Sequence, residues 1–299
     1  MKLNDTAPDG LVDLASQRIG GKALLANDEF FAPKENLLKP GRGIFIPGKY
    51  TSRGKWMDGW ESRRRRTPGN DWCVLKLGVR GVIDTVDIDT NFFLGNHPPF
   101  ASIDAIDNPR MTTLSAAAAG KLSWASILPK SPLNPGSQNL FGIVERGPWT
   151  HLRLNIFPDG GVARFKAYGT VIPDFKKFKP RQLIDLAAIK NGGVPLSCSD
   201  MFFSSMNNLL MPGRSTNMGD GWETKRRRGP GYDWIIVKLG HAGTIKKIEI
   251  DTNHFKGNFP DTCSIEACNQ ADAATGLVPG DNAGWKEVLP RTKLHAHER

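Results

Sequence analysis

The sequence predicts an all-β protein made of two tandem antiparallel β-sandwiches of the jelly-roll type. Three observations carry this reading. A long stretch occurs twice, short β-rich runs recur with little helical periodicity between them, and turn residues punctuate the runs. Asp58-Gly59-Trp60-Glu61 opens one copy and Asp220-Gly221-Trp222-Glu223 the other. The register then holds without a gap to Ala105 and Ala267, with more than half of the aligned positions identical. Upstream, Val12-Asp13-Leu14 matches Ile184-Asp185-Leu186, Phe30-Phe31 matches Phe202-Phe203, and residues 36–42 match 208–214. Copy one therefore carries a longer connection at 43–57, rich in Gly, aromatic and basic residues. Each unit has the size of an ordinary domain, too long for a solenoid repeat. The expected boundaries are a first domain at 1–171, a Pro-bounded, Lys-rich linker at 172–181 and a second domain at 182–299.

In chain order, residues 11–15 have slight helical character and are expected to enter the first domain as a short helix. Residues 29–38 read as a surface segment. Residues 72–77 form a β-rich run ended by Gly78, and 82–90 and 102–106 alternate apolar with polar residues as half-buried strands do. Between these last two, 91–99 is rich in Asn, Gly and Pro, which is loop chemistry. Residues 151–157 and 162–168 flank Pro158-Asp159-Gly160-Gly161, where Pro fixes φ and Gly supplies positive φ, so a β-hairpin is expected. Copy two repeats copy one as far as Trp285–Pro290, the match of Trp124–Pro129. By repeat logic the second sandwich is expected to lack its last two strands. Its open edge would then be left bare or covered by another segment or subunit.

Lys and Arg number 40 against 30 Asp and Glu, a net charge of +10. Such a balance points to anionic partners: nucleic acid, anionic lipid or an acidic small molecule. The excess concentrates in 63–66, 225–228 and the linker. The four cysteines occupy unequal repeat positions without zinc-ligand or disulfide spacing, which fits a reducing, cytoplasmic setting, and Cys73 is expected to be a small buried residue. Residues 1–10 are polar, so no signal peptide is expected, and no apolar run approaches the ~18 residues of a membrane span.

Two constellations carry chemistry. In the basic runs, acid and base interleave after Glu61 and Glu223. They read either as solvated loops with Arg stacked on Trp60 and Trp222, or as an anion site whose guanidinium forks match a carboxylate. Interleaved acids argue against a nucleic-acid patch. The second constellation is Asn253-His254-Phe255-Lys256-Gly257-Asn258, where His254 and Lys256 replace Phe92 and Leu94 of copy one. The His, Lys and two Asn, with Asp251 just ahead, make this loop a candidate ligand site, although a lone His is more often structural. The copies differ here, so the second domain is expected to supply the reacting groups. These are Glu223 or Asp251 as carboxylate and His254 as proton shuttle. Arg226, Arg227, Asn253, Lys256 and Asn258 would bind substrate, with Glu61, Arg64 and Arg65 in support. No P-loop, dinucleotide fingerprint, Ser-His-Asp signature or confident metal motif is present. No cofactor or metal site is expected, and dependence on an added divalent ion stays open.

Residues 221–234, 251–260 and 155–165 together resemble the allantoicase (allantoate amidinohydrolase) family, and the resemblance runs from Leu11 to about Arg291. It implies jelly-roll domains of the galactose-binding-like kind, hydrolysis of allantoate to ureidoglycolate and urea in purine and allantoin breakdown, and a homo-oligomer. The competing class is a non-catalytic tandem β-sandwich that binds carbohydrate or another small molecule, since a fold does not fix a function. Urea release from allantoate separates the two, and salt-sensitive retention on DNA would reveal a nucleic-acid binder.

Overall fold

The computed structural model describes residues 10–270, 279 and 284–299, and its contacts divide the chain into two units, Met1–Pro173 and Asp174–Arg299. The first unit opens with a strand, β1 (Val12–Asp13), where a short helix was expected. Val12 and Asp13 lie opposite Gly169 and Tyr168, and the Asp13 carboxylate accepts the backbone N–H groups of Ala15 and Ala167, each at 3.1 Å. Tertiary pairing overrides a weak local preference. After β2 (Lys22–Ala26), a 3-10 turn at Lys34–Leu38 buries Asn36, Leu37 and Leu38, so the segment expected at the surface is exposed at Glu29, Phe30, Phe31, Pro33 and Glu35 but also feeds the core. The long connection of copy one folds into a small hairpin of β3 (Tyr50–Thr51) and β4 (Gly54–Lys55), and β5 (Trp60–Glu61) follows.

Next comes β6 (Asp71–Asp89), one strand of 19 residues where the sequence suggested two. Gly78 does not end it. A side chain at Gly78 would come within 2.7 Å of Ile19, so the glycine marks a close approach of backbone to neighbour. The remaining strands are β7 (Phe100–Ile106), β8 (Ala125–Pro132), β9 (Leu140–Gly142), β10 (Trp149–Phe157), β11 (Gly161–Val162) and β12 (Arg164–Val171), with one helical turn at Ala116–Ala119. All pairing is antiparallel. The front of β6, 71–76, runs between β2 and β10; its rear, 81–89, runs between β12 and β9. Thus β10 and β12 are not hairpin partners. The Pro158–Gly161 turn is there, with Gly160 at φ 137°, but it carries the chain from one end of β6 to the other. Periodicity reveals a turn, not which strand its arms will pair with.

Leu75, Ile83, Ile88, Ile103, Leu152, Leu154 and Phe165 are fully or almost fully buried, each worth about 1.5–3 kcal/mol of transfer free energy. Cys73 is buried as expected, and all four cysteines are free. No described helix is long and apolar enough to cross a membrane.

Among its described residues, the second unit contains two strand pairs, β13 (Val194–Cys198) with β14 (Ile235–Lys238), and β15 (Thr262–Ala267) with β16 (Lys286–Lys293). Residues 243–251, the counterpart of the rear of β6, form no strand. Ile245 is 39% exposed where its equivalent Ile83 is fully buried. Among the described residues, unit two has no strand matching β10 or β12.

Candidate active site

The repeated sequence builds the same polar frame in each unit. The Trp60 indole donates to the Asp28 carbonyl at 2.8 Å, and Trp222 does the same to Asp200. Asn36 donates to the Gly59 carbonyl at 2.9 Å and Asn208 to Gly221 at 2.8 Å. Both glycines are required by space, since a Cβ would come within 2.7 Å of Phe93 in one unit and 2.6 Å of Phe255 in the other. This packing presents the residue after each tryptophan, a half-buried glutamate, to the neighbouring loop. Asn96 donates to Glu61 at 2.7 Å, and Asn258 to Glu223 at 2.6 Å. Burial raises the Glu61 pKa against the opposing effect of the Asn96 hydrogen bond.

The basic runs are sorted by alternation. Arg63 lies on the Asp28 carboxylate at 2.7 Å and its guanidinium sits over the Phe30 ring; Arg65 pairs with Asp71 at 2.7 Å. In unit two Lys225 pairs with Asp200 at 3.6 Å and Arg227 with Asp233 at 2.8 Å. Alternate side chains of an extended segment face opposite ways. The first and third cations therefore anchor the loop to acids, while Arg64, Arg66, Arg226 and Arg228 are exposed, with no ion pair to a described residue. No arginine stacks on Trp60, which is completely buried. The anchored cations of each run thus serve the fold itself, and the others face solvent.

The second loop is framed in the same way. Asp89 receives Arg42 bidentately at 2.9 and 2.8 Å, and Asp251 receives Arg214 at 3.0 and 3.2 Å. Asp251 also accepts the Asn253 backbone N–H at 2.8 Å. Burial pulls its pKa up, but these donors and the charges of Arg214 and Arg299 outweigh it and hold it below the usual carboxylate range. Both Asp251 oxygens are thus committed to the frame. Asn253 is buried and donates to the Ser215 carbonyl at 2.9 Å, as Asn91 donates to Gly43 at 3.0 Å. The next residue is left-handed in both units, Phe92 at φ 67° and His254 at φ 70°.

In unit two the loops at 214–223 and 251–258 adjoin through the Glu223–Asn258, Asn253–Ser215 and Arg214–Asp251 contacts. Of the residues expected at a site, Glu223, Asp251, Asn253, His254 and Asn258 belong to this network. Lys256 and Arg226 stand exposed beside it, and Arg227 is held by Asp233. The His254 Nε2 lies 3.0 Å from the Ser215 carbonyl oxygen. A carbonyl only accepts, so Nε2 carries the proton and Nδ1 of the neutral ring keeps its lone pair. Only one Glu223 oxygen, Oε1, is engaged by a described donor. A carboxylate and a histidine with one open nitrogen, flanked by amides and exposed cations, suit proton transfer on a small polar anion. Among the described residues, no three His, Cys, Asp or Glu side chains converge as a metal set would.

One member of the site escaped the sequence reading. His297 lies against His254, with ring centroids 5.6 Å apart. Its signal was the continuing repeat register beyond Pro290, which places Gly136 of copy one at this position.

A family model for the allantoicase repeat matches residues 12–172 and 184–299. A probable allantoicase of Pseudomonas aeruginosa (strain UCBPP-PA14) is 46% identical over 291 residues, covering 96% of this chain and 85% of that protein. The allantoicase of Dictyostelium discoideum is 46% identical over 290 residues, covering 96% of this chain and 77% of that one. The crystal structure of allantoicase from Saccharomyces cerevisiae superposes with a TM-score of 0.79 at 37% identity, covering 96% of this chain and 83% of that one. With both repeats matched, by sequence and by fold, this chain belongs to the allantoicase family.

Proposed function

We propose that this chain hydrolyses allantoate to ureidoglycolate and urea in purine and allantoin breakdown, with the reacting groups in unit two. The observation that carries the placement is the departure from symmetry: one frame holds Phe92 in unit one and a titratable His254 in unit two. Allantoate is a carboxylate bearing two ureido groups on its central carbon. Arg226 and Lys256 supply the charge for its carboxylate, and Asn253 and Asn258 line the loop that meets the ureido groups. Glu223 takes a proton from the attacking water through its open oxygen. The His254 Nδ1, once protonated, delivers a proton to the departing urea nitrogen as the C–N bond breaks, and the hydroxyl stays on the central carbon. Asp251 orients Arg214 and the Asn253 backbone, and Glu61, Arg64 and Arg65 support the equivalent frame of unit one.

This reading brings with it a cytoplasmic homo-oligomer that binds no nucleic acid, since half of each basic run is neutralised by its own acids. The test is urea release by purified protein from allantoate, with and without added divalent metal. Turnover above the no-enzyme control is expected; none in either condition overturns the proposal.

A further inference from the structure

His297 stands where unit one has Gly136, and it keeps the glycine's left-handed backbone, φ 55° against 61°. The segment around it is fixed in the same way in both units. The Thr252 hydroxyl donates to the carbonyls of His295 and Glu298 at 2.6 and 3.0 Å, as Thr90 donates to those of Asn134 and Ser137 at 2.6 and 3.1 Å. The frame therefore holds residue 297 in the backbone geometry of its glycine counterpart, and in unit two this brings its ring against residue 254. In unit one that side chain is absent. In unit two it is an imidazole whose Nδ1 accepts the backbone N–H of His254 at 2.8 Å, while the two rings meet edge to face. A left-handed turn is costly for a residue with a bulky side chain and persists when its surroundings hold it. Here one residue meets both the backbone and the ring of His254, and the Ser215 carbonyl holds the ring's Nε2.

We propose that His297 is a positioning residue for His254, pinning its left-handed backbone and its ring so that Nδ1 faces the substrate. This rests on the role of His254 given above. It explains why both residues depart from unit one: a titratable group at 254 needs a fixed orientation, whereas Phe92 does not.

Two substitutions separate the acceptor from the backbone. His297→Gly restores the residue of unit one and suits φ 55°, but removes the acceptor. His297→Asn tolerates the same φ and places a side-chain oxygen near the position of Nδ1. In urea release from allantoate, His297→Gly is expected to lower kcat roughly 10-fold or more with KM little changed, the scale of a misplaced catalytic group. His297→Asn is expected to recover most of that loss. Wild-type kcat in His297→Gly, or equal losses in both variants, overturns the proposal. Hydrogen exchange at the His254 amide gives a readout independent of turnover. Protection should fall in His297→Gly and return in His297→Asn, and unchanged protection in His297→Gly also overturns it. A wild-type protein without activity, or a His254→Ala variant with full turnover, removes the role of His254 and the proposal with it, whereas full turnover in His297→Gly alone overturns only the positioning role.

Discussion

The rear of β6 and its counterpart in unit two share Gly, two Ile and the closing Asp, yet stand in two different conditions. Residues 81–89 lie between two strands and bury Ile83, Val86 and Ile88 completely; residues 243–251 have no described strand beside them, and Ile245 is exposed. Yet the loop that follows each segment keeps one geometry, with the Asp–Arg pair, the Asn that donates to a backbone carbonyl and the left-handed residue all in place. The polar frame of the site is thus local. Its hydrogen bonds close among adjoining loops and do not wait for the sheet.

The sharpest way to test this is to break contacts of the sheet in unit one and compare them with their counterparts, where present, in unit two. Arg164→Ala should be the most damaging, because it leaves the buried Asp58 carboxylate, now 2.6 Å from the guanidinium, without its partner. Losing one member of a buried pair costs about 3–5 kcal/mol, readable as a fall in denaturation midpoint. Ile83→Ala should cost ~2–5 kcal/mol by opening a cavity, whereas Ile245→Ala should stay within ~0.5 kcal/mol. Equal losses would mean that unit two is as well packed as unit one.

For activity, His254→Ala should lower turnover by ~10²-fold or more, the scale of a positioned acid or base. Phe92→Ala and Glu61→Gln should cost far less. The reverse order would place the chemistry in unit one, and comparable losses would make both units contribute.

The smallest expected effect is acid sensitivity in unit one. Burial, helped by the charge of Lys76, lowers the His151 pKa to about 4, against the opposing Met111 carbonyl and Asp107. The folded protein refuses a proton that the unfolded chain takes below ~6.5, so stability falls as pH drops from there towards 4. His151→Gln should flatten that part of the stability profile, and an unchanged slope would show that other groups set it.

Much of this was legible in the sequence where identity between copies was the signal. The two Trp-Glu frames, the Asn-rich loop and the turn at Pro158 could all be read from residue types. What could not be read is pairing. Nothing local distinguishes a hairpin at Pro158 from two strands that flank a third, and nothing marks Gly78 as the middle of a strand. Within Arg63–Arg66, charge alone does not say which guanidiniums meet acids; that depends on Asp28 and Asp71, which only the fold brings near. His297 was missed for a different reason. A glycine aligned with a histidine looks like drift until the backbone is seen to be the same in both.

The 19-residue β6 has a mechanical consequence for unit one. A single strand supplies the central rung of both ladders, so neither can loosen without tugging on the other through continuous backbone. Amides at 71–76 and 81–89 should then open for exchange in one concerted event, not as two separately melting layers. Cutting the chain between Gly78 and Gly81 and joining it elsewhere by circular permutation would uncouple them. The permuted protein should show two opening free energies in place of one.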